Sequence, residues 1–370
     1  MEVEKMSNNR QLTNAQNLSI KYIGEHAFSR KEEAITLIKE ILQMSNIQWD
    51  MYENALAKLR TNARIALHFH PDRPLADMKC VAQALLEQGA YRSQFETRIS
   101  NGGLSAYLGG ARDLWEKNLF NGAYHIDGAS ISERPKYGAL DVMLHADGPS
   151  PRFGSCFFLL SPSVSSRSTY TYGDSNNDRP EKGTLEEFDI VIAALLNDVF
   201  FRESALGERD VTPGKLIDHL LYNLDQPYRY SLDDIPRRNL NHYIEAQIHG
   251  DISLADDVEM LVADSSFKGT QVGSLLEQLC LKYSIKLIWN IGPYLMVEEV
   301  PTDFRGPTMP SLANRIAKNG YIDASIIGEA VNDLKSNPTK WYDRGSYAEV
   351  LQELKLLWHV LVRFGKSSAV

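Results

Sequence analysis

The chain has only three cysteines in 370 residues, Cys80, Cys156 and Cys280, and none belongs to a CxxC pair. That excludes a disulfide framework and a cysteine zinc site. No stretch approaches the roughly 18 apolar residues of a membrane-spanning helix, so a soluble protein is expected. The opening segment MEVEKMSNNRQLTNAQ lacks the apolar core of a secretory signal. The protein is therefore expected in the cytoplasm, or exported by a route that needs no such signal. Basic residues are outnumbered, 39 against 48 acidic, leaving a net charge of −9. This is not the electrostatic footprint of a nucleic-acid binder. No internal repeat or low-complexity tract is present. What remains, 43% hydrophobic and 24% charged residues, is ordinary globular usage, and the length fits two or three domains.

Residues 1–20 read as polar and loose. Ser29-Arg30-Lys31-Glu32 reads as a capping box, followed at helical spacing by Ala34, Ile35, Leu37, Ile38, Ile41 and Leu42. A second helix is predicted over 49–59. Strands are predicted at 64–70, 90–99, 138–144, 153–160, 167–173 and 242–249, and later at 285–291 and 294–300. Thr184-Leu185-Glu186-Glu187 predicts the cap of an amphipathic helix within a largely helical stretch, 179–233. Residues 308–364 read as helical, with Leu351, Leu354, Leu357, Trp358 and Leu361 on one face. The pattern is α+β: a helical segment 1–60, a β-rich domain 61–305 with a helical insertion at about 180–235, and a helical cap 306–370.

Three constellations carry chemistry. In Leu67-His68-Phe69-His70-Pro71-Asp72-Arg73 the two histidines share one face of a strand, and Pro71 sends Asp72 and Arg73 into a loop. The pair could bind a metal with help from His125, His145, His219, His242 or His249. It could equally pack in a core, or contact a ligand at the strand end. Tyr91 to Gly103 is polar on both faces and ends in Asn101-Gly102-Gly103, so Arg92 or Arg98 with glycine amides could hold a phosphate. The alternative is a solvated edge strand. In Asn241 to Gly250, Glu245, Gln247 and His249 alternate with Ile244, Ala246 and Ile248, and a carboxylate placed there is costly to bury without a partner. Between these lies Ser168-Thr169-Tyr170-Thr171-Tyr172, which also suits a plain β-strand.

Together, HFHPDRP (68–74), YRSQFETRISNGG (91–103), ERPKYG (133–138), PRFGSC (151–156), STYTYGDS (168–175) and EAQIHG (245–250) resemble the mono-ADP-ribosyltransferases. The similarity is to an effector-like bacterial group that modifies ubiquitin on a threonine and blocks ubiquitination. It spans roughly residues 60–300. The resemblance implies a split β-sheet core, NAD as co-substrate, ubiquitin as protein partner, and export into a host cell. It implies catalysis by Glu245 paired with Asp72, with Asp141 and Asp174 as other candidates for the second acid. His70, Arg73, Arg92, Asn101, Gly102, Ser168, Thr169 and Gln247 would contact the dinucleotide, with Tyr137 or Tyr170 stacking on nicotinamide. Glu245 lacks a second glutamate two residues before it, which favours a hydroxyl acceptor over arginine. Protein selectivity would come from the helical insertion or the cap. The competing readings are a metal-dependent hydrolase built on His68 and His70, and a non-catalytic interaction module.

Overall fold

A computed structural model describes residues 11–99, 106–225 and 239–367; the candidates Asn101 and Gly102 lie outside them. The sequence reading missed the first element. Asn14–Ser29 is a helix, α1, opened by a capping box in which Thr13 and Gln16 exchange hydrogen bonds. Ser29 does not cap the second helix; its hydroxyl donates to the His26 carbonyl at 2.7 Å, and α2 (Lys31–Met44) begins after Arg30. Helix α3 (Trp49–Asn62) then leads into the sheet.

Eight strands form that sheet: β1 (Arg64–Phe69), β2 (Lys136–Asp141), β3 (Cys156–Leu160), β4 (Ser168–Tyr172), β5 (Lys182–Thr184), β6 (Ile244–Ile248), β7 (Val258–Asp264) and β8 (Lys286–Asn290). Their spatial order is β8-β7-β3-β1-β2-β6-β4-β5. All neighbours are antiparallel except β7 and β8, which are parallel because helix α8 (Gln271–Tyr283) crosses between them. The fold is α+β. Hydrogen bonding joins all eight strands in one sheet, where the resemblance implies a core split in two. The Cys-Phe-Phe-Leu-Leu run of β3 is buried throughout, as expected for a central strand covered on both faces.

The remaining helices of eight residues or more among the described residues are α4 (Val81–Gln88), α5 (Ala111–Leu119), α6 (Asp189–Arg202), α7 (Pro213–Tyr222), α9 (Met309–Ile316), α10 (Ala324–Ser336) and α11 (Tyr347–Phe364). Helices pack in pairs, α2 on α6, α3 on α7, α4 on α8 and α10 on α11. Among the described residues no helix is long and apolar enough to cross a membrane.

Two predicted strands are not strands. Over 90–99 only Ala90–Tyr91 pairs; Ser93 and Glu96 form a capping box and turn Gln94–Thr97 into a short helix. Over 294–300 only Leu295–Met296 pairs, before a 3₁₀ turn. Nor does Thr184 cap α6. It ends β5, its hydroxyl accepts from the Glu187 amide at 3.1 Å within a turn, and the helix starts at Asp189.

The predicted helical cap is not a detached layer. One continuous apolar core includes Ile38 and Leu59 from the first helices, Phe158 and Ile244 from the sheet, and Leu354, Leu357 and Leu361 from α11. Each fully buried leucine of this kind contributes about 1.5–3 kcal/mol. The Trp358 indole of α11 also donates to the Pro151 carbonyl at 3.0 Å and meets the His70 ring edge-on at 5.1 Å.

Candidate active site

Glu245 is the second residue of β6, which runs between two neighbours. Its register partners are Ala139 on β2 and Thr171 on β4, while Gln247 lies opposite Tyr137 and Thr169. Strand alternation puts all of these side chains on one face of the sheet. Glu245 is 6% exposed and lines a cavity of about 350 Å³. Arg112 and Trp115 of α5, Tyr137, His68, Arg152, Phe153, Asp174 and Tyr243 contribute to its walls. Burial, reinforced by the charge of Asp174, pushes the Glu245 carboxyl up to about 7. Hydrogen bonds from Ser175 Oγ and from Gln247 Nε2 at 2.9 Å, and the nearby Arg112, work in the opposite direction.

The walls are both aromatic and cationic. The Arg112 guanidinium lies 4.7 Å from the Trp115 ring centroid and 5.4 Å from that of Tyr137, which sit 5.3 Å apart. The Trp115 indole nitrogen has no hydrogen-bond acceptor among the described residues. Tyr137 donates to Glu116 Oε1 at 2.8 Å. Glu116 and Asp113 in turn hold Arg134, 2% exposed, at 2.9 and 2.5 Å. Phe153 meets Tyr243 edge-on at 5.6 Å.

His68 faces this cavity as a neutral ring. Its Nδ1 donates to the Gly154 carbonyl at 3.2 Å, and Nε2 accepts from the Ser150 amide at 3.4 Å. Burial lowers its pKa to about 4. With both nitrogens engaged, His68 is not a metal ligand here. Among the described residues no group of three or more His, Cys, Asp or Glu is placed to hold a metal ion.

A second cavity of about 610 Å³ adjoins the first, sharing Tyr91, Gln94 and Tyr137. His70, Arg73, Arg92 and Lys136 line it. Arg92 also donates to Gln88 at 2.7 Å and to Glu96 at 2.8 Å. A third, of about 580 Å³, meets the Glu245 cavity on its other side, at Arg152, Asp174 and Tyr243.

The structure thus brings Glu245 and Tyr137 together, and sets His70, Arg73 and Arg92 next door. Other expectations need correction. Asp72 lines neither cavity: it is 6% exposed, and a Cβ added at Gly328 of α10 would come within 1.3 Å of its Oδ2. The turn after His70 carries it under the C-terminal helices and away from Glu245, where Asn332 holds its backbone carbonyl at 3.1 Å. Asp141 is buried at the far end of β2, opposite Arg64, and also lines neither cavity. Only Asp174 of the three candidate acids reaches the Glu245 cavity.

Ser168 and Thr169 do not contact the cavity either. Ser168 Oγ donates to the Val164 carbonyl at 2.9 Å, and Thr169 Oγ1 donates to Gln247 Oε1 at 2.8 Å beneath Glu245. Gln247 is likewise a supporting group, bonded to Thr171 at 3.0 Å. Tyr170 points to the opposite face, where it packs on Phe188 and donates to the Ser165 carbonyl at 3.0 Å.

Sequence reasoning missed Arg112, Trp115, Arg152 and Asn176. Arg112, Trp115 and Glu116 stand at i, i+3 and i+4 of a helix and so share a face, which was the available signal. A polar helix face ordinarily reads as solvated, so the spacing alone does not separate the two cases.

No curated protein matches the chain significantly. A family described as a protein of unknown function (DUF3626) matches residues 64–364, from the first residue of β1 to the last of α11. The chain therefore belongs to the DUF3626 family.

Proposed function

We propose that the protein is a NAD-dependent mono-ADP-ribosyltransferase acting on a hydroxyl of a protein, with an ADP-ribosyltransferase-like core around β1, β2, β4 and β6. The observation that carries this reading is the buried Glu245 carboxylate, set among aromatic rings and arginines, beside a second cavity lined by Arg73, Arg92 and Lys136 together with Asp77 and Glu96. Nicotinamide and its ribose fit the first cavity, with Tyr137 and Trp115 for stacking. The pyrophosphate fits the second, against Arg73, Arg92 and Lys136.

As the bond from ribose to nicotinamide breaks, its electron pair leaves with the base and the sugar carbon becomes cationic. A preorganised carboxylate beside that carbon stabilises the transition state more than the ground state. Glu245 takes this role. The acceptor oxygen then bonds to the carbon, and its proton passes to a base. Asp174 replaces Asp72 as the base, because it borders both the Glu245 cavity and the third cavity, from which an acceptor can enter. Ubiquitin as acceptor rests on the sequence resemblance alone.

Incubation with labelled NAD and ubiquitin, followed by mass spectrometry, tests the reading. Glu245→Gln is expected to abolish nicotinamide release while keeping the unfolding midpoint, and Asp174→Asn to lower transfer by about 10²–10⁴-fold. Full activity of Glu245→Gln, or no turnover by the natural chain, removes the proposal, the latter leaving an interaction module.

A further inference from the structure

We infer that Tyr124, His249, Thr169 and Gln247 form one directional hydrogen-bond chain that positions Glu245 and ties its protonation to the tautomer of a histidine further along the chain. Its catalytic consequence rests on the transferase reading; the chain itself does not.

The direction comes from the donors available. An ionised Glu245 can only accept. Gln247 Nε2 lies 2.9 Å from Glu245 Oε1 and 3.0 Å from Thr171 Oγ1, so its amide nitrogen faces these two oxygens. Its carbonyl therefore faces Thr169 and can only accept, which makes the Thr169 hydroxyl, at 2.8 Å, the donor. That hydroxyl has then spent its one proton. His249 Nε2, at 3.2 Å from it, must carry a hydrogen and donate. In a neutral ring Nδ1 is then bare, and it accepts from the Tyr124 hydroxyl at 2.5 Å. Burial first, then the charges of Lys136 and Arg167, hold His249 neutral, with a pKa of about 3. The Tyr124 and His249 rings stack with centroids 6.1 Å apart, and Phe120 closes on His249 edge-on at 5.5 Å.

Protonating Glu245 reverses each link. The acid proton seeks the amide carbonyl, Gln247 turns over, Thr169 donates to Nε2, the ring proton moves to Nδ1 and is donated to the Tyr124 oxygen, and the Tyr124 hydroxyl turns its own proton to Ser19. The charged groups facing the chain are Arg112 and Asp174 at Glu245, Lys136 and Arg167 at His249, and Glu116, Glu133 and Arg134 beside Tyr124. Tyr137 and Tyr243 complete the titratable surroundings of Glu245. As positioning residues, His249 and Tyr124 fix the orientation of a carboxylate they do not touch.

The full chain, labelled with ¹⁵N in histidine rings and ¹³C in glutamate carboxyls, allows both ends to be read by NMR between pH 5 and 9. The expected result is the Nε2–H tautomer of His249 at high pH, shifting with the same midpoint as Glu245. His249→Leu removes the donor to Thr169 and is expected to raise the Glu245 midpoint by about one pH unit. His249→Gln keeps an N–H at that position and is expected to restore it. An Nδ1–H ring at high pH, or equal Glu245 midpoints in the two variants, overturns the chain; the first result needs no variant to fold. With NAD, His249→Leu is expected to lower kcat about tenfold at unchanged KM. Absent turnover with the expected tautomer intact removes the transferase reading and leaves the chain standing; turnover with an Nδ1–H ring does the reverse.

Discussion

Asp72→Asn is a direct test of how the C-terminal helices are joined to the sheet. Asp72 Oδ2 is buried against Gly328 and has no hydrogen-bond partner among the described residues. Burial outweighs the neighbouring Arg73 and raises the carboxyl from 3.8 to about 7. The folded state thus binds this proton more tightly than the unfolded chain. The group's contribution to stability is complete below pH 3.8 and is lost as pH rises through 7. Between pH 5 and 7 the loss covers about two units at about 1.4 kcal/mol each, or about 3 kcal/mol. Asparagine has nearly the same shape and cannot ionise. Urea unfolding at about pH 5 and about pH 8.5 should therefore show the variant gaining about 3 kcal/mol on the natural protein across that interval. Asp264 and Glu245 are also raised to about 7 by burial, so stability should still fall over the same range in the variant. If the difference between variant and natural protein is the same at both pH values, Asp72 is not a buried, protonated acid and the reasoning fails.

Gly328→Ala should destabilise by about 1–3 kcal/mol or more, because the new methyl would overlap the Asp72 carboxylate and force α10 outward; an unchanged urea midpoint would show that the contact is not made. Arg134→Met should cost about 3–5 kcal/mol in urea unfolding, since it strips Glu116 and Asp113 of their buried cation. That loss should shrink at low pH, where Glu116, already raised by burial, takes up a proton.

Much of the fold was legible because it rests on local chemistry. The apolar run of β3 and the Leu354–Leu361 face report burial through spacing alone, whereas the alternation read through His68 does not, since β1 is buried on both faces from Ile65 to Phe69. The reading failed where a cap competes with a strand pattern. Ser93-Gln94-Phe95-Glu96 passes for alternation, although Ser93 and Glu96 satisfy each other's backbone donors as a helix start. The candidate site was half legible. Glu245 stood out as an acid on the polar face of an alternating strand, but its partners come from α5, from the turn at Arg152 and from the loop after β4. Contacts between such distant segments leave no periodicity to read. Asp72 shows the opposite error: it sat next to the right strand in sequence, and one turn of backbone carried it away from the glutamate and under the C-terminal helices.

The late entry of β6 into the sheet bears on how the protein is made. It inserts between β2 and β4, yet it emerges from the ribosome roughly seventy residues after β4. Until residue 248 has been synthesised, those two strands have no partner between them and their open edges are liable to wrong pairing. The growing chain thus carries a gap in its centre that only the glutamate-bearing strand can close, so a nascent chain arrested before that point lacks Glu245 and is prone to aggregate.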